Sequence, residues 1–148
     1  MIRYQFILLG TLLFAFVSLD GQTSSKVIPK SSKWKLIEYL KADGTMVAND
    51  SQPSYANKNG TKFITLDFVT DTTFSFKTFT NDGGGKVYYN NSSNSIIIKC
   101  KTMTKVGEYP WGKLFLKTMP LVTNFKITDT DLKLLYDNGT KYIHFVKN

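Results

Sequence analysis

The sequence has one cysteine, one histidine and one arginine, and these scarcities exclude several classes of site. A disulfide requires two thiols, so Cys100 has no partner within the chain. Zinc sites and catalytic triads need several convergent side chains, and His144 is the lone imidazole. The sequence also has no Gly-x-Ser-x-Gly motif. We therefore predict a protein that is not an enzyme, with no catalytic residues, no metal site and no cofactor.

Arginine is nearly missing although the chain is basic, with a formal net charge of +8. Arg3 is the single arginine, and the other strongly basic side chains are lysines scattered from Lys26 to Lys147. Proteins that bind nucleic acids favour arginine and cluster their charge, so we predict no nucleic-acid partner. Scattered lysines are typical of a solvated surface. Attraction to an anionic envelope surface, or to an envelope protein, is the alternative.

Long apolar runs are missing beyond the N-terminus. Residues 6–17 form an almost wholly apolar segment of 12 residues (17 − 6 + 1), whereas a membrane-spanning helix needs about 20. Arg3 precedes this segment and small polar residues follow it, which is typical of a signal peptide. We predict that residues 1–21 are removed by cleavage near Gly21 and that the protein is secreted or periplasmic. An uncleaved anchor is the alternative.

The remainder of the chain is long enough for one domain. Residues 22–32 are polar and predict a short flexible leader, and residues 33–148 predict the folded domain. The whole sequence of 148 residues is 42% hydrophobic and 14% aromatic, so the domain can build a core without disulfides.

Short segments of alternating polarity, separated by turn residues, indicate a β-rich fold. In residues 62–69, the side chains of Ile64, Leu66 and Phe68 share one face. Residues 81–85 are expected to form the sharpest turn, since consecutive glycines permit positive φ, and residues 47–60 a loop. The pattern predicts a mostly β (α+β) fold. Its antiparallel meander of about eight strands forms a closed or nearly closed barrel, with one short helix packed against it.

The helix is predicted between two prolines. Pro110 suits the first turn, where its missing N–H would be unpaired anyway, and Pro120 ends the helix. A helix of about ten residues is marginal alone, so it must pack, and we expect it on the strand face that carries Ile96 and Ile98. Gly112 is expected to allow close approach to a strand. The apolar positions are Trp111, Leu114, Phe115, Thr118 and Met119, while Lys113 and Lys117 should face solvent.

The alternation of side chains along the strands and the spacing of apolar residues in the helix together predict which residues form the core. Cys100 has the parity of Ile96 and Ile98 and is expected to behave as a small buried hydrophobe. The predicted core comprises Trp34, Leu36, Ile64, Leu66, Phe68, Phe74, Phe76, Ile96, Ile98, Leu114, Phe115, Leu132 and Leu134.

Three features of the sequence could be mistaken for functional sites, and we prefer a structural role for each. His144 is expected to be a satisfied or exposed structural histidine. Asp129 and Asp131 share a face if the chain is extended, but they flank Thr130 in a place where Asp commonly forms turns. Residues 82–86, Asp-Gly-Gly-Gly-Lys, lack the Gly-Lys-Ser/Thr and the helix of a phosphate loop, so a hairpin turn is expected.

The order of the segments resembles that of a known family. The segments of this chain that carry the resemblance, by their order and spacing, are Trp34-x-Leu36, Ile-Thr-Leu-Asp-Phe at 64–68, a Gly-rich turn that leads into Tyr88 and Tyr89, Ile96-x-Ile98, Thr-Lys-Val at 104–106, Trp-Gly-Lys-Leu-Phe-Leu-Lys-Thr-Met-Pro at 111–120, Val122-x-x-Phe-Lys-Ile and Leu132-Lys-Leu. Over about residues 33–146 the chain is similar to the META domain (HslJ-like) family of bacterial envelope proteins. The cysteines that this family usually carries in the Gly-rich turn and before the helix have no counterpart here. The resemblance implies a fold and a localisation in the cell envelope, and it does not imply a catalysed reaction.

Two functions follow as hypotheses. The first is an exported, non-enzymatic META-like domain that acts through surface contacts in the cell envelope. The alternative is a lipocalin-like β-barrel carrier of a small apolar ligand, supported by Trp34 on the first strand, with Ser32 where lipocalins usually place glycine. A filled barrel interior favours the first hypothesis. An apolar pocket of about 300 Å³ or more, open to solvent, favours the second.

Overall fold

The computed structural model describes residues 27–40, 43–48, 63–104 and 107–148. The predicted signal peptide, residues 22–26 of the predicted leader and residues 49–60 of the expected loop lie outside this part of the chain. No helix within it is long and apolar enough to cross a bilayer. The elements are β1 (Ser32–Leu40), β2 (Met46–Ala48), β3 (Thr65–Phe68), β4 (Thr73–Lys77), β5 (Asp82–Asn90), β6 (Ser95–Met103), α1 (Pro110–Thr118), a 3₁₀ turn (Met119–Leu121), β7 (Asn124–Ile127), β8 (Asp131–Tyr136) and β9 (Lys141–Lys147).

The strands follow one another around a closed antiparallel barrel. From β3 to β9 each strand pairs with the next in the chain, and β1 closes the ring by pairing with both β3 and β9. β2 pairs with the C-terminal half of β1, beside the ring of eight strands, and its last two residues were expected to belong to the loop at residues 47–60. Closure leaves the barrel strands without open edges. Within the described ranges, the predicted meander, barrel and one short helix are confirmed.

Large side chains fill the barrel interior. Every predicted core residue is buried except Leu114, which is half-buried and packs against the others. Trp34 is fully buried, and its indole N–H donates to Ser32 Oγ over 2.9 Å. Ile28 is also buried in the core, so the folded domain extends further toward the N-terminus than the predicted boundary at residue 33.

A bulge in β1 reverses the expected alternation of side chains. Leu36 and Glu38 pair with consecutive residues of β9, which makes Ile37 an extra residue on β1. Leu36 faces the interior before the bulge, and Tyr39 is fully buried after it. Glu38 consequently lies on the outer surface. If the alternation of side chains at the start of β1 had continued, Glu38 would point into the barrel.

The glycine run lies within a strand, which corrects the turn predicted at residues 81–85. The turn occupies residues 78–81, where the Thr78 N–H donates to the Asn81 carbonyl over 2.7 Å. A Cβ on Gly84 would lie 2.6 Å from a carbonyl oxygen of β4, and one on Gly85 would overlap the backbone of β6. Close approach of the neighbouring strands therefore requires glycine here, rather than positive φ.

Cys100 is exposed, so the expectation that it is buried was wrong, and a second bulge follows it directly. Gly85 pairs with Cys100 and Gly84 with Thr102, so Lys101 is the extra residue of β6. The regular alternation that buries Ile98 is interrupted at this point. Partial desolvation of the sulfur still raises the pKa of the Cys100 thiol.

Helix α1 begins at Pro110 as predicted, and Pro120 lies in the 3₁₀ turn that follows it. Trp111 packs on Tyr39, with ring centroids 4.8 Å apart. Phe115 contacts the rings of Phe76 at 5.4 Å and Phe145 at 6.5 Å. The helix aromatics thus insert among β1, β4 and β9, they share one core cluster with Ile96 and Ile98, and the 3₁₀ turn packs on β6.

Candidate functional site

A groove of about 300 Å³, open to solvent, lies outside the filled barrel interior. Helix α1 and the 3₁₀ turn form one wall, and β1 with the β8–β9 hairpin forms the other. We call it the helix groove. Its lining residues are Tyr39, Leu114, Lys117, Thr118, Leu121, Tyr136 and Lys141. The groove reaches the volume that the ligand-carrier hypothesis requires, but not at the barrel centre where lipocalins bind.

Two tyrosines give the helix groove a mostly apolar surface. The hydroxyl of Tyr39 donates to the Trp111 carbonyl at 3.4 Å, and that of Tyr136 donates to the Leu40 carbonyl at 3.2 Å. Burial raises the pKa of both phenols, and that of Tyr39 lies well above its ordinary value. Both side chains are therefore neutral at physiological pH, and their hydroxyls are bonded to the backbone. Tyr39 is fully buried, so the half-buried ring of Tyr136 is the one that remains open to apolar contact.

Two lysines stand at the rim of the helix groove. Lys117 is exposed in the last turn of α1, and no carboxylate in the described ranges forms an ion pair with it. Lys141 pairs with Asp137, four residues earlier in the β8–β9 hairpin. The sequence prediction that Lys117 faces solvent is confirmed, but the pattern alone did not reveal that it borders a groove.

His144 lies between two carboxylates on the outer surface. Its Nδ1 is 2.8 Å from Glu38 Oε1, and its Nε2 is 2.9 Å from Asp131 Oδ1. Each ring nitrogen therefore faces a carboxylate oxygen within hydrogen-bond distance. The expectation of a structural histidine with satisfied nitrogens agrees with these contacts. The sequence had not indicated Glu38 as a partner, because the bulge in β1 brings it there.

Asp131 combines the expected turn role with this histidine contact. Its backbone N–H donates to Thr128 Oγ1 at 2.9 Å, and its carboxylate accepts from Thr130 Oγ1 at 2.5 Å. The hydrogen bond from Thr130, and then that from His144, hold the pKa of Asp131 below its ordinary value. Asp129 is exposed in the turn before β8, so the two aspartates do not line a common cavity.

A polar cluster joins the β4–β5 turn to the start of α1. The Glu108 carboxylate accepts hydrogen bonds from the Thr78 hydroxyl, from Asn81 Nδ2 at 2.8 Å and from the Tyr109 N–H at 3.0 Å. Thr78 and Asn81 are buried. The side chain of Glu108 also lies against Gly112, where an added Cβ would be 2.5 Å from Glu108 Cγ. Gly112 therefore allows close approach, but to a side chain and not to a strand.

Four residues form a partly apolar, cationic patch on the outer face of β5 and β6, which we call the β5–β6 patch. Tyr88 is 47% exposed and lies directly opposite Ile97, which is 58% exposed. Lys86 lies opposite Lys99, and the Lys99 ammonium is 5.8 Å from the centre of the Tyr88 ring. Residues 82–86 are thus part of this strand surface, and not a hairpin turn or a phosphate loop.

The described residues contain no group of three His, Cys, Asp or Glu side chains placed to hold a metal ion. His144, Cys100 and Asp131 lie on separate strands, and of these only His144 and Asp131 are in contact.

Comparison with known proteins identifies a fold and no activity. No protein-family model matches the chain. No curated protein sequence matches it either. Among solved structures, the chain is similar to a DUF4847 family protein from Bacteroides vulgatus, with a TM-score of 0.60 and 12% sequence identity. The similarity covers 80% of this chain and 93% of that protein, so it supports the barrel architecture across nearly the whole neighbour.

Proposed function

We propose that this protein is an exported, non-enzymatic META-like module that acts through contacts of its outer barrel surface in the cell envelope. The N-terminal apolar segment and the META-like order of motifs support localisation in the cell envelope. The observation that carries the surface role is the β5–β6 patch, where exposed apolar side chains lie beside lysines.

The lysines of the β5–β6 patch favour an anionic partner. Lys86 and Lys99 lie directly opposite each other, and like charges in that position destabilise a sheet. Neither forms an ion pair with a carboxylate of the described ranges. A surface rich in phosphate would relieve their repulsion, while Tyr88 and Ile97 enter the boundary between headgroups and acyl chains. We therefore take anionic lipid headgroups as the contacted surface.

Vesicle flotation of the protein beginning at Gln22 tests this proposal. We expect binding to vesicles that contain phosphatidylglycerol, weaker binding to phosphatidylcholine vesicles, and loss of binding as salt is raised. The double variant Lys86→Gln/Lys99→Gln should bind less than the matched double variant Lys113→Gln/Lys147→Gln, which removes two other exposed lysines. Equal losses in both variants would show that only net charge matters. Binding to an acidic protein but not to vesicles would refute the lipid partner and indicate a protein partner instead.

A second candidate function is the binding of a small ligand, and the helix groove favours it. Trp34, Phe76 and Phe115 are fully or almost fully buried inside the barrel, so a central ligand would have to displace core side chains. The groove instead offers about 300 Å³ that is already open to solvent, which lies at the small end of ligand sites. This candidate is independent of the vesicle contact.

A further inference from the structure

We propose that the helix groove binds a small amphipathic carboxylate, with its apolar body between α1 and the β8–β9 hairpin and its carboxylate at the two rim lysines. The inference rests on the second candidate function and gives it a ligand class. It does not depend on the β5–β6 patch, which involves other strands and other residues.

The apolar contacts come from both walls of the groove. Leu114 and Leu121 are seven residues apart and lie on the same side of the helix and 3₁₀ turn. On the other wall, the half-buried ring of Tyr136 borders the groove with its hydroxyl already bonded to the Leu40 carbonyl, while Tyr39 is fully buried and exposes no ring surface. Leu121 is 55% exposed, a large apolar side chain at the mouth that a ligand would cover.

The volume limits the size of the ligand. At the roughly 30 Å³ that a water molecule occupies in the liquid, 300 Å³ holds about ten non-hydrogen atoms. A ligand of about ten atoms is expected to bind with a dissociation constant on the order of 1 mM, within the range of binding free energy per atom that small ligands reach. Long-chain lipids are too large to be enclosed.

The charge of the rim selects an acid over a neutral or basic ligand. Lys117 has no carboxylate partner in the described part of the chain, and Lys141 shares its charge with Asp137. The C-terminal end of α1 lies beside the groove and carries a partial negative charge that disfavours an anion. The lysines must therefore supply the attraction, so binding should depend strongly on them.

NMR titration of the ¹⁵N-labelled full chain tests the inference, because backbone shifts locate the bound probe. The probe is octanoate, which has about ten non-hydrogen atoms and so matches the groove volume. We expect saturable shifts at groove residues with octanoate, and weaker binding of octanol and octylamine. The double variant Lys117→Gln/Lys141→Gln should bind octanoate about fivefold more weakly, consistent with one exposed and one half-buried charge contact. The control Lys113→Gln lies on the exposed face of α1 and should bind like the wild type.

The inference would be overturned by the absence of saturable shifts at groove residues, by octanol binding as tightly as octanoate, or by unchanged affinity in the double lysine variant. Shifts confined to residues 86–99 would place the probe on the β5–β6 patch and would also refute the groove. Leu121→Ser offers a second check, because this exposed residue can be changed without opening the core. It should weaken octanoate binding while the thermal midpoint stays near that of the wild type. Loss of vesicle binding would bear on the patch alone.

Discussion

Replacing Gly112 by alanine should destabilise the protein, although alanine is the better helix former. Gly112 is buried in the first turn of α1, beneath the side chain of Glu108. A methyl group at this position would overlap the Glu108 side chain, 2.5 Å from its Cγ. Glu108 cannot move away freely, because its carboxylate holds Thr78 and Asn81 of the β4–β5 turn. The added methyl group and the Glu108 side chain that makes these hydrogen bonds therefore compete for the same space.

The two effects differ enough in size to fix the sign. Glycine to alanine in a helix gains at most about 1 kcal/mol, and less in the first turn. Hydrogen bonds to a charged group are worth about 1.5–3 kcal/mol, and displacing Glu108 removes such bonds from the buried residues Thr78 and Asn81. We expect a net loss of about 1–2 kcal/mol in the free energy of unfolding.

Urea denaturation of a double-mutant cycle isolates the competition. Gly112→Ala should lower the unfolding midpoint in the wild-type background, but it should raise the midpoint in the Glu108→Ala background, where the space is vacant. Gly107→Ala is the control, since a Cβ there meets nothing within 4 Å. If Gly112→Ala stabilises the wild type, or if the two substitutions are additive within about 0.5 kcal/mol, the proposed competition does not exist.

Further predictions concern the strands, the core, the outer surface and the N-terminus. Gly85→Ala should destabilise by about 1–3 kcal/mol, because its Cβ overlaps the backbone of β6, whereas Gly107→Ala in a thermal melt should be neutral. Phe68→Ala should cost about 3–5 kcal/mol in denaturant melts, and a loss below about 1 kcal/mol would contradict its burial. The lowered pKa of Asp131 means that its carboxylate stabilises the fold above the unfolded pKa of about 4 and that this contribution is lost as pH falls further. Asp131→Asn should thus be less stable than wild type at pH 7 and approach it below about pH 4. N-terminal sequencing of the mature protein should begin near Gln22, and recovery of the intact N-terminus would contradict export.

The sequence predicted the barrel wherever strands run without interruption. In β3 and β4, buried and half-buried residues alternate as the polarity pattern requires, and Phe68 and Phe74 are buried opposite each other. The helix limits followed from Pro110 and Pro120, whose effects are local. Such features depend on near neighbours in the chain, so one sequence is enough to predict them.

The errors arose where one strand depends on its neighbour. Cys100 keeps the regular pairing of the buried Ile98 but is exposed, next to the bulge of β6, and the polarity pattern of β6 alone could not show this. The glycine run was assigned to a turn because its approach to β4 and β6 is visible only in three dimensions. One signal was present in β1: Glu38 would be inward if alternation continued from Leu36, and a charged residue at such a position indicates a bulge. The contact between Glu38 and His144 depends on that bulge.

The placement of α1 explains why a ligand site, if used, lies outside the barrel. Trp111 and Phe115 enter the core, so the helix fills space that a carrier would leave hollow. With these two aromatics turned into the core, the neighbouring face of the helix and 3₁₀ turn lies beside β1 and the β8–β9 hairpin. This face carries residues 114, 117, 118 and 121. These positions follow the i, i+3, i+4, i+7 spacing of one helical face. Leu114 was assigned to the core by periodicity, but it lies at the boundary between the two faces, and its half-burial is what gives the helix groove an apolar wall.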